Sequence, residues 1–144
     1  MKKYGFVFVV GLLASLMLVS CAAPAAVEVA AVTVLKVTSG STVTELSAEE
    51  IKAVGEIEVD YTNKDGETTK YTGTPLKQLL SMVTDASAIT FTAADGYSAE
   101  MSGVDLLACD DCILAFQDDG TLRLVMPDQS SKLQVKDLVD ITIQ

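Results

Sequence analysis

Two of the three cysteines stand close enough together to share one chemistry. Cys109 and Cys112 are separated by Asp110 and Asp111. A Cys-x-x-Cys pair can form a local disulfide, provide half of a tetrahedral metal site, or exchange with other disulfides. The two aspartates disfavour exchange, because adjacent negative charge opposes the thiolate form, and a metal would need further ligands from them or from a second subunit. We expect a disulfide, with a metal site and a redox centre as the alternatives.

The third cysteine ends an apolar segment that follows Lys2 and Lys3. Residues 18–21, Leu-Val-Ser-Cys, resemble the lipobox of a bacterial lipoprotein, in which the signal peptide is cut before the cysteine and Cys21 is lipidated. A transmembrane helix is the alternative, since about 20 apolar residues span a bilayer. Pro24 and the alanine-rich residues around it favour the lipoprotein interpretation.

The lipobox divides the chain into predicted parts. Residues 1–20 are the signal peptide, residues 21–31 hold the lipidated cysteine and a tether, and residues 32–144 form one domain. Two or more acyl chains hold a protein stably at a membrane. We therefore expect a protein that is anchored to a membrane rather than spanning it, on the periplasmic or cell-surface side.

The charged residues exclude several classes of function. The chain has 10 Lys and Arg against 20 Asp and Glu, and loss of Lys2 and Lys3 with the signal peptide leaves 8 − 20 = −12. Such a surface repels nucleic acid. The sequence has no histidine, which excludes Ser-His-Asp and Cys-His nucleophiles and imidazole ligands. Arg123 is the only arginine, so one chain cannot clamp phosphate with several arginines.

The elements that must position these residues are mostly short strands. Alternation of polar and apolar residues, with Asn-x-Asp-Gly and Asp-Gly turns, predicts hairpins. The predicted strands cover residues 33–37, 56–61, a partner strand ending at 71, 89–93, 97–101, 113–116, 122–126 and 141–143. This balance, without a βαβ rhythm, predicts an α+β domain of mixed, mostly antiparallel sheet with short helices.

Short helices are predicted between the strands. Ser47 and Glu50 form a capping box, so a helix should run to about residue 54. Thr74 and Pro75 favour a second helix start, with Thr74 as N-cap. One apolar stripe should follow, facing the core, at Leu76, Leu79, Leu80 and Val83. Residues 104–108 and 136–139 are predicted as helical turns.

Taken in order, these segments resemble the molybdopterin-binding domain of the sulfite oxidase family. The resemblance spans residues 54–144 and is carried by Tyr71-Thr-Gly-Thr-Pro-Leu76 leading into Leu79-Leu80, Phe91-Thr-Ala-Ala-Asp-Gly-Tyr97, Gly120 with Leu122-Arg-Leu-Val-Met-Pro127, and Val135-Lys-Asp-Leu-Val-Asp-Ile141. It implies the family fold and a cleft for molybdopterin or another pterin. The residues that it points to are Tyr71, Gly73, Thr74, Asp95, Gly96 and Tyr97.

The sequence departs from the family at the residues that hold the metal and the pterin phosphate. Family enzymes hold molybdenum through a cysteine after an early strand, whereas the corresponding residues 59–63 contain none, and the family's histidine and arginine contacts to the pterin phosphate have no counterpart. We therefore expect a non-catalytic module that binds a small pterin-type ligand, without molybdenum, or serves a membrane protein as an accessory. The alternatives are a molybdenum- or other metal-dependent oxidoreductase using Cys109 or Cys112, and a Cys-x-x-Cys redox or electron-transfer partner.

Overall fold

The computed structural model describes residues 32–85 and 87–144, so the predicted signal peptide, Cys21 and the tether lie outside the described residues. None of the helices in this part of the chain is long and apolar enough to cross a membrane. The strands are β1 (Thr33–Ser39), β2 (Thr42–Ser47), β3 (Ile57–Thr62), β4 (Thr68–Pro75), β5 (Ala88–Ala93), β6 (Ser98–Ser102), β7 (Ile113–Phe116), β8 (Leu122–Val125) and β9 (Leu138–Ile143). The helices are α1 (Ala48–Ala53), α2 (Leu76–Leu79) and α3 (Gly103–Ala108), with a 3-10 turn at Ser131–Leu133.

The strands form two sheets. The first has the order β2-β1-β9-β5-β6 and the second the order β3-β4-β7-β8. All pairs are antiparallel except β1 with β9, where Val37 lies beside Ile141. The predicted class, a mixed and mostly antiparallel α+β domain with short helices, is confirmed.

The main core lies between the two sheets. The first sheet contributes Leu35 and Phe91, the second contributes Leu114 and Leu124, and α1 contributes Ile51; all five side chains are fully buried. Period-2 alternation along each strand sends one set of side chains into this core. The opposite set from the second sheet forms a smaller cluster on the outer face of that sheet.

The hairpin of β3 and β4 forms as predicted and places Tyr71 on the second sheet. The Asn63 side chain accepts hydrogen bonds from the backbone N–H groups of Asp65 at 2.9 Å and Glu67 at 3.0 Å. Gly66 has a φ of +85°, a conformation that glycine adopts without the strain of a Cβ. This turn fixes the register in which Val59 lies opposite Tyr71.

The predicted helix start at Thr74 and Pro75 is wrong. Both residues belong to β4, where Pro75 pairs with Ile113 of β7. The Thr74 hydroxyl donates to the Ile51 carbonyl at 3.0 Å instead of capping a helix. The helix begins at Leu76, and its apolar stripe faces the core as predicted although α2 ends at Leu79.

Two further segments differ from the sequence prediction. β2 was not predicted, because this edge strand is mostly exposed and lacks a buried alternating set. The helical turn predicted at residues 136–139 is wrong: Lys136 forms an isolated bridge with Arg123, and β9 begins at Leu138. Asp137, between them, has a φ of +52°, which ends any helical geometry there.

The predicted capping box is present at the start of α1. The Ser47 N–H donates to the Glu50 carboxylate at 2.8 Å, and the Glu50 N–H donates to the Ser47 hydroxyl oxygen at 3.3 Å. Two hydrogen bonds lower the pKa of Glu50 below its ordinary value of 4.5: the larger effect comes from the Ser47 backbone N–H and the smaller from the Ser47 hydroxyl. The carboxylate is therefore the form that stabilises the folded state.

Replacing Ser47 with alanine should lower the free energy of unfolding by about 1 kcal/mol at neutral pH. A lowered folded pKa means that the Glu50 contribution is fully present above pH 4.5 and is lost as pH falls through the folded value. Ser47→Ala removes the bond from the hydroxyl to the carboxylate and keeps the one from the backbone, so the difference between wild type and Ser47→Ala in urea unfolding should shrink in part as pH falls below about 4.5. Ser41→Ala, in an exposed turn, is the control; a difference that stays constant with pH would contradict the prediction.

Candidate functional site

The residues implied by the family resemblance fall on two parts of the fold. Tyr71, Gly73 and Thr74 lie on β4 of the second sheet, whereas residues 95–97 form the turn between β5 and β6 of the first sheet. Tyr71 lines one cleft and Tyr97 lines another. The structure therefore brings together the residues within each group, but it does not place the two groups in one cleft among the described residues.

Gly73 and Thr74 lie inside the protein. Thr74 is 1% exposed and Gly73 is also buried. A Cβ on Gly73 would stand 2.8 Å from the Leu114 carbonyl carbon and 2.9 Å from the Ala115 Cα. Gly73 therefore permits a close approach of β4 to β7, and Thr74 ties β4 to α1. Both residues shape the sheet beneath Tyr71.

The turn at Asp95 connects two elements of the fold. The Tyr97 N–H donates to the Asp95 carboxylate at 2.9 Å, and the Tyr97 hydroxyl donates to the Lys132 carbonyl at 2.8 Å. Tyr97 thereby links the β5–β6 hairpin to the 3-10 turn, although its side chain is 45% exposed. A cleft of about 410 Å³ lies beside it and is lined by Tyr97, Ser98, Ala99, Glu100, Ser130, Lys132 and Leu133.

A second cleft lies on the second sheet, with Tyr71 in its wall. We call it the Tyr71 cleft; its volume is about 360 Å³ and it is lined by Lys70, Tyr71, Thr72, Ala115, Phe116, Gln117, Asp118 and Arg123. Across the strands, Gly73 lies opposite Ala115, and Ala115 lies opposite Arg123. Because Gly73 and Ala115 are small, the long Arg123 side chain can extend over them toward Tyr71.

Arg123 and Tyr71 form the centre of this cleft. The guanidinium carbon of Arg123 lies 5.1 Å from the centroid of the Tyr71 ring, within the range of a cation–π contact. Tyr61 packs edge-on against the same ring, with centroids 6.4 Å apart. The Arg123 Nε is buried and has no hydrogen-bond partner among the described residues. The cleft therefore contains a guanidinium packed on an aromatic ring, and one N–H of this guanidinium is buried without an acceptor among the described residues.

The other charged groups of the cleft are compensated differently. Lys70 pairs with Glu58 at 2.6 Å and with Asp60 at 3.3 Å, and these bonds raise the pKa of Lys70 above its ordinary value of 10.5. The ion pairs found in residues 32–85 and 87–144 do not include Arg123 or Asp118. Arg123 is thus the cation of the cleft that forms no ion pair among the described residues.

On the sequence, Arg123 excluded a clamp of several arginines and formed part of the residues 122–127 that carry the family resemblance, but no ligand contact was expected of it. Its position held a further signal, because Arg123 stands between Leu122 and Leu124, both buried. In a strand, alternation then places Arg123 on the face opposite the core. What the sequence could not show is that the outer face brings this arginine to Tyr71.

Cys109 and Cys112 lie at disulfide-bonding distance, with their Cα atoms 5.5 Å apart. The bond closes the turn between α3 and β7, where the Leu76 N–H donates to the Cys112 carbonyl at 2.9 Å. Lys77 pairs with Asp110 in the same turn. Within the described residues no group of three or more His, Cys, Asp or Glu side chains could hold a metal ion. By the chain-entropy model, so small a loop contributes about 2 kcal/mol of stability.

No protein-family model matches this chain, and a search of curated proteins found no match either.

Proposed function

We propose that this chain is a lipid-anchored, extracytoplasmic module of molybdopterin-binding-like fold that binds a flat, pterin-type small molecule and does not itself catalyse a reaction. The observation that carries the ligand is the Tyr71 cleft, in which a residue implied by the family resemblance stands beside Arg123. The lipobox at Cys21 carries the location.

The dimensions and chemistry of the cleft support a small ring-shaped ligand. Its volume of about 360 Å³ falls in the range of small-molecule sites, and its lining is more polar than apolar. Tyr71 and Phe116 supply apolar surface, and Arg123 supplies N–H donors. A fused heteroaromatic ring presents a flat face to stack on and polar edges to hydrogen-bond, which suits such a lining.

The residues at the family's metal position support a binding role. Residues 59–63 correspond to the region where the family enzymes carry the molybdenum-holding cysteine. Here Val59 is buried in the outer-face cluster and Asp60 pairs with Lys70. The thiols of Cys109 and Cys112 are paired with each other in a different turn, and the side chains at 59–63 offer molybdenum no thiolate.

Pterin binding to the lipidated protein, expressed in a host that makes molybdopterin, tests this proposal. We expect pterin fluorescence to report binding and elemental analysis to find no stoichiometric molybdenum. Tyr71→Leu should weaken binding about fivefold, because stacking on an aromatic ring contributes about 1 kcal/mol. Tyr97→Leu, in the other cleft, is the control.

Each result assigns the protein differently. Absence of pterin binding would contradict the proposal that the ligand is a pterin-type molecule. Stoichiometric molybdenum would contradict the non-catalytic role and make Cys109 or Cys112 the suspected ligand. Equal loss in Tyr71→Leu and Tyr97→Leu would contradict the placement of the ligand in the Tyr71 cleft.

A further inference from the structure

We infer that the Tyr71 cleft selects a ligand bearing a carboxylate next to its ring, and that Arg123 is the residue that binds this carboxylate. The inference rests on the proposed function and deepens it, because it names the chemical group that distinguishes the ligand from a neutral ring. It derives from three features of the cleft: an unsatisfied donor, a cation that forms no ion pair, and one carboxylate, Asp118, elsewhere in the lining.

The unsatisfied donor is the Nε of Arg123. It is buried, and no atom of the described residues accepts a hydrogen bond from it. Buried polar groups in native proteins nearly always have a partner, so the guanidinium lacks at least one acceptor. Arg123 itself is only half-buried and lines the cleft, so a ligand would reach it through its terminal N–H groups rather than through the buried Nε. A guanidinium offers several N–H groups in a fixed fork, which matches the two oxygens of a carboxylate.

The cation without an ion pair makes this cleft an exception on an acidic protein. The formal net charge of the chain is −10, so an anion is repelled by the surface as a whole. Lys70 lines the same cleft, but Glu58 and Asp60 offset its charge. Arg123 forms no ion pair with any carboxylate of the described residues, and the contact with Tyr71 holds its head group at the cleft.

Asp118 sets the preferred charge of the ligand. It lines the cleft together with Arg123, and the chain has a formal net charge of −10. One guanidinium can offset the single charge of a carboxylate, whereas the second charge of a dianion meets repulsion from Asp118 and from the acidic protein as a whole. A carboxylate carries one charge and a phosphate monoester carries nearly two at neutral pH. The cleft should therefore favour the carboxylate over the phosphate of a matched pair.

Two sets of probes test this inference on the same protein. The first compares pterin-6-carboxylate with unsubstituted pterin, and the second compares benzoate with benzyl alcohol and with phenyl phosphate, all by calorimetry. We expect the carboxylate of each set to bind about tenfold more tightly than its neutral counterpart. Arg123→Gln should abolish this advantage and Arg123→Lys should restore part of it. Lys132→Gln, which removes one positive charge at the other cleft, should leave it unchanged.

The outcomes separate this inference from the proposed function. Equal binding of pterin-6-carboxylate and pterin, or an advantage that persists in Arg123→Gln, would overturn the inference and leave pterin binding intact. Binding of benzoate through Arg123 without binding of either pterin would support the inference and overturn the proposal that the ligand is a pterin. Tighter binding of phenyl phosphate than benzoate would overturn the preference for a carboxylate. Thermal unfolding of each variant checks that the fold is retained.

Discussion

Replacing Gly73 with alanine is expected to destabilise the domain by about 3 kcal/mol. The added Cβ would meet the Leu114 carbonyl group and stand 2.9 Å from the Ala115 Cα. These are backbone atoms of β7, which cannot rotate away as the end of a flexible side chain can. Relief therefore requires β4 and β7 to separate at their pairing. Urea unfolding should show a lower midpoint with an unchanged slope.

A second variant in the same strand separates this steric effect from a general sensitivity of β4. Thr72 is exposed, so Thr72→Ala should change the free energy of unfolding by no more than about 0.5 kcal/mol. An unchanged midpoint for Gly73→Ala would show that the strands can yield. If Gly73→Ala kept its stability but lost pterin binding, Gly73 would instead contact the ligand directly, as the family resemblance implies.

Replacing Cys21 with serine is expected to move the protein from the membrane fraction to the soluble fraction. Lipid attachment requires the cysteine thiol, and a serine hydroxyl at position 21 does not replace it. Each buried methylene of an acyl chain contributes about 0.8 kcal/mol to membrane binding, so losing two or more chains removes the anchor altogether. Fractionation of cells measures the location of the protein, and its intact mass shows whether the lipid is attached.

The matched control is Cys109→Ser, which removes a thiol without touching the proposed anchor. It should leave the protein in the membrane fraction, although it opens the bond to Cys112. A Cys21→Ser protein that stays in the membrane would indicate that the apolar segment before Cys21 remains as a membrane-spanning helix. Pterin binding by the Cys21→Ser protein should match wild type, because the Tyr71 cleft lies within the described domain.

Local patterns predicted most of the elements. The four residues 113–116 form β7 as expected, because they are a short apolar run bounded by turn residues. The capping box of Ser47 and Glu50 begins a helix, because its hydrogen bonds join residues only three positions apart. The helix start predicted at Thr74 is wrong because the Thr74 hydroxyl donates to the carbonyl of Ile51, which is far away in the sequence. A local pattern cannot reveal such a partner.

The sequence by itself determined the class of fold, most strand positions and the groups available for chemistry. It also provided the lipobox-like residues 18–21, the single arginine Arg123 and the absence of histidine, since all of these depend on residue type and short spacing. The tertiary structure decided which residues share a surface. Pairing of β4 with β7 and of β7 with β8 brings Arg123 to Tyr71, while the turn at Asp95 lies on the other sheet. The physical reason is that strand order and register are set by contacts between residues far apart in the chain, and these contacts leave no signature in local spacing.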